Sequence, residues 1–229
     1  MSGFLDHAAS APRLSPMALL QGRPLVILAP HPDDETLGCG ALLFDAAAQG
    51  TACHVICVTD GTRSHPGSRR WPAPVLAATR KAELRAACAI LAPAAKVTCL
   101  GYRDCAAPED RQAADRVSAL IEPDALVLAT WARDPHVDHQ QVAGLAIRIA
   151  AGRADIALAF YPVWGRFIDR AADVRLIDAS DAAVATKRRA LACHRSQMTG
   201  LIDDDPTGFV MTDAHQAHFL THPEIILAP

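Results

Sequence analysis

The sequence has no long hydrophobic run and no concentration of basic residues. No apolar run approaches the roughly 18 to 20 residues that span a bilayer, and residues 1–21 lack the basic start and continuous apolar stretch of a signal peptide. The formal net charge is −3, with both signs spread along the chain, which argues against a dedicated nucleic-acid binder. We therefore expect a cytoplasmic protein with no membrane span and no nucleic-acid partner.

Paired cysteines and a complete dinucleotide fingerprint are also missing. The seven cysteines form no Cys-x-x-Cys pair, so we expect reduced thiols rather than disulfides or a sulfur-rich zinc site. Gly38 and Gly40 lie where a phosphate-binding loop would begin, but the third glycine of that motif is absent. The chain has no repeats or low-complexity tracts, and its 51% apolar residues suffice for a packed core.

Apolar segments typical of buried strands alternate with helical patterns. The predicted strands are residues 23–29, 52–59, 96–100, 125–131, 156–164 and 174–177, and the predicted helices are residues 36–49, 75–91, 108–121, 140–151 and 180–192. This alternation indicates βαβ units with right-handed crossovers. We predict an α/β fold in which residues 23–229 form a single Rossmann-like domain, with a mainly parallel sheet and helices on both faces. Residues 1–22 are predicted to be a flexible N-terminal arm.

Two polar motifs directly follow predicted strands. The first is PHPDDE at residues 30–35, and the second is RDPHVDH at residues 133–139. Alone, the first could be an acidic turn that caps a helix, and the histidines of the second could be surface residues. However, sites in open α/β sheets form at the carboxyl ends of the strands, where both motifs are expected. Together they favour a metal hydrolase.

The two motifs contain the groups that a catalytic divalent ion requires. If His31, Asp34 and His139 converge, they provide three ligands and leave a position open for water. Because a bound metal lowers the pKa of water towards about 7, Asp33 could accept its proton as a general base. His136, as an imidazolium, could stabilise an oxyanion or protonate a leaving amine.

Two further acidic residues are expected to support this site. Ligating histidines usually donate their second ring nitrogen to an acceptor, and Asp138 is well placed to be such an acceptor. Glu35 is expected either to support the ligands or to begin the following helix. Asp203–Asp205 is interpreted as a solvated turn, and His215 and His218 as loop or helix-surface residues without an assigned role.

The paired motifs resemble those of the PIG-L/LmbE-like family of metal-dependent N-deacetylases. Other positions that resemble family landmarks are Thr59-Asp60-Gly61, Arg80, Glu83, Leu100-Gly101, Asp104, Lys187 and His194-Arg195-Ser196-Gln197. The resemblance implies a domain that holds Zn²⁺, with Fe²⁺ or another divalent metal as alternatives. It also implies hydrolysis of the acetamide of an N-acetylglucosamine-type group on a small-molecule amino-sugar conjugate.

The resemblance assigns the metal ligands to His31, Asp34 and His139, the general base to Asp33 and the oxyanion partner to His136. It also implies a substrate contact for Arg80, although an arginine on an amphipathic helix is often ion-paired.

Trp164 could stack on a sugar face, although aromatic residues mostly serve cores and interfaces. Asp104-Cys105 departs from the Asp-Gly that relatives often carry, which puts the local turn in question. Two alternative functions stay open: a metal-dependent esterase or phosphodiesterase on the same site, and a nucleotide- or sugar-binding module without catalysis. The sequence also leaves a homo-oligomeric assembly open.

Overall fold

The computed structural model describes residues 4–169 and 172–228. Its strands are β1 (Arg13–Leu14), β2 (Leu25–Ala29), β3 (Cys53–Thr59), β4 (Lys96–Tyr102), β5 (Leu126–Thr130), β6 (Ala157–Tyr161), β7 (Val174–Ile177) and β8 (Ile225–Leu227). Its α-helices are α1 (Phe4–Ala9), α2 (Pro16–Leu20), α3 (Asp34–Ala48), α4 (Ala73–Leu91), α5 (Arg111–Ser118), α6 (Val137–Ala151), α7 (Asp181–Leu191), α8 (Arg195–Met198) and α9 (Asp213–Thr221). Thr62–Ser64 and Trp164–Phe167 form short 3₁₀ helices.

The strands form one sheet in the order β1-β7-β8-β6-β5-β2-β3-β4. Every neighbouring pair is parallel except those of β8, which runs antiparallel to β6 and β7. Helices α3, α4 and α7 contribute to an apolar core on one face, and α1, α5 and α6 contribute to a core on the other. The predicted α/β class, mainly parallel sheet and two helical layers are therefore confirmed.

β2 lies between β5 and β3 at the centre of the sheet. All five residues of β2 and all five of β5 are buried, as expected for continuous apolar runs covered by helices on both faces. The register places Leu28 of β2 opposite Ala129 of β5. The chain therefore leaves both strands at the same edge of the sheet, where the two polar motifs begin.

The segment before β2 differs from the expected loose arm. Within residues 4–22, β1 pairs in parallel with β7, and Phe4 and Leu20 are 2% and 0% exposed. The physical reason is apolar burial, because Phe4 belongs to one core and Leu20 to the other. The sequence-based expectation is thus corrected for residues 4–22, which pack on the domain.

Helix α6 begins three residues earlier than the pattern suggests. His136 is its N-cap, and the Nδ1 atom of His136 accepts a hydrogen bond of 3.2 Å from the backbone N–H of Asp138. His139 consequently lies in the first helical turn, with its side chain buried. None of the helices in the described parts of the chain is long and apolar enough to cross a membrane.

Helix α3 packs on β6 at Gly38. A Cβ atom at this position would lie 2.2 Å from Cδ2 of Tyr161. Tyr161 is fully buried, and its hydroxyl donates to the carbonyl oxygen of Leu28 at 3.0 Å. Since this ring cannot move without losing its hydrogen bond, Gly38 sets how closely α3 approaches the sheet.

We expect Gly38→Ala to lower the free energy of unfolding by about 1–3 kcal/mol, because overpacking forces side chains and backbone to shift. Denaturant titration would measure the change. The matched control is Gly144→Ala in α6, where the added Cβ meets only Glu109 Oε2 at 3.4 Å. Helix propensity favours alanine there by up to about 1 kcal/mol, so equal stabilities of the two variants would contradict this packing.

Candidate metal centre and active site

Both polar motifs lie on the floor of a cavity of about 370 Å³ at the carboxyl edge of the sheet. His31, Asp33, Asp34 and His136 line this floor. His139 lies beside them but is fully buried. The structure therefore brings together the side chains that the sequence assigns to one site.

Two imidazole nitrogens lie close to one carboxylate oxygen, which makes three donor atoms in all. Asp34 Oδ2 lies 3.2 Å from His31 Nδ1 and 3.3 Å from His139 Nε2. Each of these two distances is compatible with a pair of ligands on one tetrahedral ion, whose ligand atoms are about 3.3 Å apart when the bonds are about 2.0–2.1 Å. His139 Nε2 is buried and has no hydrogen-bond partner. A divalent cation would satisfy this nitrogen, so the donor set fits the metal that the sequence predicts.

The second ring nitrogen of His31 contacts a carboxylate, as expected for a metal-binding imidazole. Its Nε2 lies 2.9 Å from Asp138 Oδ2. Asp138 is held in turn by the backbone N–H groups of Cys105 and Ala107, which donate at 2.8 and 3.0 Å. A proton on Nε2 leaves the lone pair of His31 Nδ1 directed at the cation position.

His139 has a different carboxylate partner, Asp134, which sequence reasoning did not single out. Asp134 Oδ1 lies 3.1 Å from His139 Nδ1, although the contact is poorly aligned for a hydrogen bond. Asp134 Oδ2 accepts from the backbone N–H groups of Val163 and Gly165. Only its position within the second motif, beside two histidines, signalled a role.

The centre carries excess negative charge. Burial lowers the pKa of His139, but Asp34 and Asp134 outweigh that effect and raise its pKa to about 9. Burial also lowers the pKa of His31, yet Asp104, Asp138 and Asp34 together raise it well above its ordinary value. These shifts mean that the carboxylates favour positive charge at the imidazoles, which a divalent cation would supply in place of protons.

Asp33 lies beside the donor set in a strained backbone conformation. Its φ of +146° is one that L-residues rarely adopt, and its backbone N–H donates to Glu35 Oε2 at 3.1 Å. The residue is 6% exposed. Burial raises the pKa of Asp33 to about 6, although the guanidinium of Arg80 opposes this shift.

Arg80 is 3% exposed, and its guanidinium contacts the turn that contains Asp33. Its Nη2 donates to Asp33 Oδ2 and to the carbonyl oxygen of Pro32, both at 3.0 Å, and its Nη1 donates to the carbonyl oxygen of Gly61 at 2.8 Å. A Cβ on Gly61 would lie 2.4 Å from Nη1, so the guanidinium needs a glycine there. Arg80 lines the cavity, but both of its Nη groups are already bound to protein. The substrate contact expected for Arg80 therefore stays a prediction beside this positioning role.

Glu35 is fully buried and supports the same turn. One carboxylate oxygen accepts from the Asp33 backbone, and the other lies 3.3 Å from His194 Nε2. Burial lowers the pKa of His194, but Glu35 outweighs that effect and raises it. His194 resembled a family landmark in the sequence, and its contact with Glu35 is the structural reason for a histidine at that position.

His136 is oriented by its role as helix cap. Because its Nδ1 accepts from Asp138 N–H, the neutral ring carries its proton on Nε2. Burial lowers the pKa of His136, and the neighbouring His31 and His139 lower it further. The contact at Nδ1 favours a neutral ring with its N–H on Nε2, and the imidazolium expected from the sequence stays a prediction.

The cavity has two unlike walls. The polar wall contains Arg63, Ser64 and Gln197, and the apolar wall contains Leu37, Trp164, Phe209 and Met211. Trp164 is half-buried and lines the cavity, and its stacking on a sugar stays a prediction. Its ring is in edge contact with Phe209, at a centroid distance of 5.7 Å.

The loop that follows β3 and the loop that precedes α9 form the cavity rim. Two carboxylates of the second loop hold the first. Asp204 accepts from Ser68 Oγ and from the backbone N–H groups of Arg69 and Arg70, while Asp205 accepts from Gly67 N–H at 2.8 Å. The expected solvated turn is therefore wrong for Asp204 and Asp205. These residues order the loop that follows β3, and no local sequence signal paired them with it.

Three other positions that the sequence left open have a defined geometry. Cys105 has a φ of +60°, so this cysteine adopts the left-handed conformation that glycine favours. His215 lies on α9 with its ring 5.5 Å from that of Trp164, and His218 stacks on His222 at 4.0 Å. Neither histidine of α9 lines the cavity floor.

Solved structures share this fold. N,N'-diacetylchitobiose deacetylase from Pyrococcus horikoshii aligns with a TM-score of 0.70 at 21% identity, over 93% of this chain and 86% of its own. A deacetylase of the teicoplanin biosynthetic pathway aligns with a TM-score of 0.70 at 18% identity, over 89% and 96%. The 4-carboxy-2-hydroxymuconate hydratase from Pseudomonas putida aligns with a TM-score of 0.63 at 20% identity, over 81% and 82%. At these identities the likeness establishes the fold alone.

Family membership rests on a separate comparison. No curated protein matches the chain significantly. A family model described as PIG-L, GlcNAc-PI de-N-acetylase, matches residues 26–150, a range that contains both polar motifs and Arg80. Since the match covers more than half of the chain, the protein belongs to the PIG-L family.

Proposed function

We propose that the protein is a metal-dependent N-deacetylase that hydrolyses the acetamide of an N-acetylglucosamine-type group on a small-molecule conjugate. The observation that carries this proposal is the convergence of His31 Nδ1, Asp34 Oδ2 and His139 Nε2 beside the buried carboxyl group of Asp33. The family description supports it. Further support comes from the neighbours of the same fold that are deacetylases of diacetylchitobiose and teicoplanin.

In this proposal His31, Asp34 and His139 hold the metal, and Zn²⁺ is the first candidate. One neighbour is described as a zinc-inhibited form, and two imidazoles with a carboxylate also suit Fe²⁺. When bound, the metal would polarise the amide carbonyl and lower the pKa of the attacking water. Asp138 and Asp134 would fix the orientations of the two imidazoles.

The remaining chemistry belongs to the side chains around the floor. Asp33 accepts the proton of the attacking water and passes it to the nitrogen of the leaving amine. Arg80 and Glu35 keep the Asp33 carboxylate aimed at the cavity through their bonds to its side chain and backbone. The Nε2–H of neutral His136 donates to the carbonyl oxygen as negative charge develops on it.

Two competing functions use the same groups. A metal-dependent esterase or phosphodiesterase would need the same cation and base, and a hydratase occurs among the structural neighbours. A panel of N-acetylglucosaminyl, acetyl ester and phosphodiester substrates separates these activities by the product released. A binding module without catalysis would release none of these products.

Replacing Asp33 tests the general base. We expect Asp33→Asn to lower the rate of acetate release from an N-acetylglucosaminyl substrate by about 100- to 10,000-fold, since a carboxamide cannot accept the proton. Bound metal, measured by elemental analysis, should stay at the wild-type level. Asp203→Asn, at an exposed carboxyl group, is the control and should keep full activity. Wild-type rates in the Asp33 variant would remove this residue from the mechanism.

Replacing His139 tests the convergence of the two motifs. Without its Nε2 the cation keeps two protein ligands, so we expect His139→Ala to lose most of its bound metal after dialysis and to lose activity. The control is His222→Ala, which removes an exposed imidazole of the tail. Full metal occupancy in the His139 variant would show that the ion is held elsewhere.

Replacing Arg80 separates a positioning role from a substrate contact. Arg80→Lys leaves one ammonium where a planar guanidinium bridges three oxygens, so we expect kcat to fall at least tenfold with little change in KM. Arg85→Lys, at an exposed position of the same helix, should change neither. A rise in KM with kcat preserved would instead identify Arg80 as a substrate-binding residue.

A further inference from the structure

The apolar wall of the cavity continues outward as a patch of rings, here named the aromatic shelf and defined as Trp164, Phe167, Phe209 and His215. The ring of Trp164 lies 5.7 Å from that of Phe209, 6.4 Å from that of Phe167 and 5.5 Å from that of His215. Phe167 and His215 are also in contact, at 4.7 Å. Trp164 and Phe209 line the cavity itself, so the shelf is continuous with the proposed active site.

The shelf is unusual in exposing aromatic rings. Phe167 and Phe209 are each 37% exposed. In the described parts of the chain, the other large hydrophobic side chains exposed to this degree are aliphatic, namely Val75, Val137, Ile147, Val184 and Val210. An exposed apolar patch beside a polar cavity is typical of a ligand-binding surface.

The shelf is also held in place before any ligand binds. The backbone N–H of Phe209 donates to the carbonyl oxygen of Ser64 at 2.7 Å, which fixes the Phe209 loop to the opposite rim loop. Trp164 and Phe167 belong to one short 3₁₀ helix, and Phe167 packs on the buried ring of Phe219. A preformed apolar surface binds without a large ordering cost.

The size of the cavity requires part of a conjugate to lie outside it. At about 370 Å³, it is at the lower end of the volumes of small-molecule sites. When an acetylated amino sugar occupies the floor, the group attached to the sugar must leave over one wall. The polar wall presents the exposed Arg63, whereas the shelf presents the exposed rings of Phe167 and Phe209.

We propose that the aromatic shelf binds an apolar alkyl or aryl group attached to the amino sugar, so that the substrates are amino-sugar conjugates with an apolar aglycone. This inference rests on the proposed deacetylase function and specifies its substrate class. The shelf offers ring faces and edges to such a group, and burial of each methylene against them lowers the free energy of the bound complex.

The test uses a homologous series of alkyl β-N-acetylglucosaminides with methyl, propyl and hexyl chains. We expect kcat/KM for acetate release to rise about twofold per methylene, half of the roughly fourfold gain that full burial would give. The methyl and hexyl glycosides should therefore differ about 30-fold. Phe167→Ser and Phe209→Ser should each reduce this ratio to about threefold or less. Ile147→Ser, which removes a 49% exposed apolar side chain from α6, should preserve it.

The outcomes separate this inference from the proposed function. Acetate release that does not depend on chain length would overturn the shelf and leave the deacetylase intact. If no glycoside is hydrolysed, calorimetric affinities for the same series still test the shelf, and a rise with chain length that Phe167→Ser abolishes would support it. If a second copy of the chain covers the shelf, sedimentation would show a dimer that Phe167→Ser dissociates, and a flat series would accompany it. Thermal unfolding of each variant checks that it is folded.

Discussion

The parallel pairing of β2 with β5 is the interaction on which the site depends. His31 follows β2 and Asp138 follows β5, and although they are 107 positions apart their side chains meet at 2.9 Å. Neither motif could form the centre alone, because Asp34 lies between an imidazole of its own motif and one of the other. The burial of both strands on both faces favours this pairing over any exposed arrangement.

The same convergence creates an electrostatic cost that explains the residues around it. Asp33, Asp34, Asp104, Asp134 and Asp138 are all buried in one region, and an unpaired buried carboxylate is strongly unfavourable. Arg80 neutralises Asp33 and also holds its strained backbone. The other four carboxylates contact the imidazoles of His31 and His139. A bound cation would supply the positive charge that protons on these imidazoles supply in its absence. Strain and excess charge at one turn are typical of functional sites rather than of structural ones.

Much of the fold and of the cavity floor could be predicted from the sequence because their signals are local. The run from Leu25 to Ala29, followed by His31, Asp33 and Asp34, indicates both a buried strand and a ligand set within ten residues. The remaining features depend on partners distant in the chain. Asp134 lies only five positions from His139, but the backbone N–H groups that hold its carboxylate belong to Val163 and Gly165.

The packing of the N-terminal segment and the loop contacts of the tail are long-range in the same way. Leu20 is an ordinary apolar residue of a short Pro-containing segment, and its burial depends on a core formed by later elements. Asp204 and Asp205 resemble a solvated acidic turn, and only the fold brings the loop containing Gly67 and Ser68 beside them. Arg80 fits a substrate contact by pattern, whereas its hydrogen bonds to Pro32 and Gly61 depend on where α4 packs.

The residues with local sequence signals and those with long-range contacts lie in different parts of the cavity. The floor is formed by residues at strand ends, whose positions follow from the sheet, and the walls are formed by loops whose contacts follow from the tail. Phe209 lines the cavity from a loop that is hydrogen-bonded to Ser64 and whose Asp205 accepts from the backbone N–H of Gly67. A change in either loop can therefore alter which ligand the cavity accepts while His31, Asp34 and His139 stay in place. For the same reason, one fold can serve different ligands through changes confined to its loops.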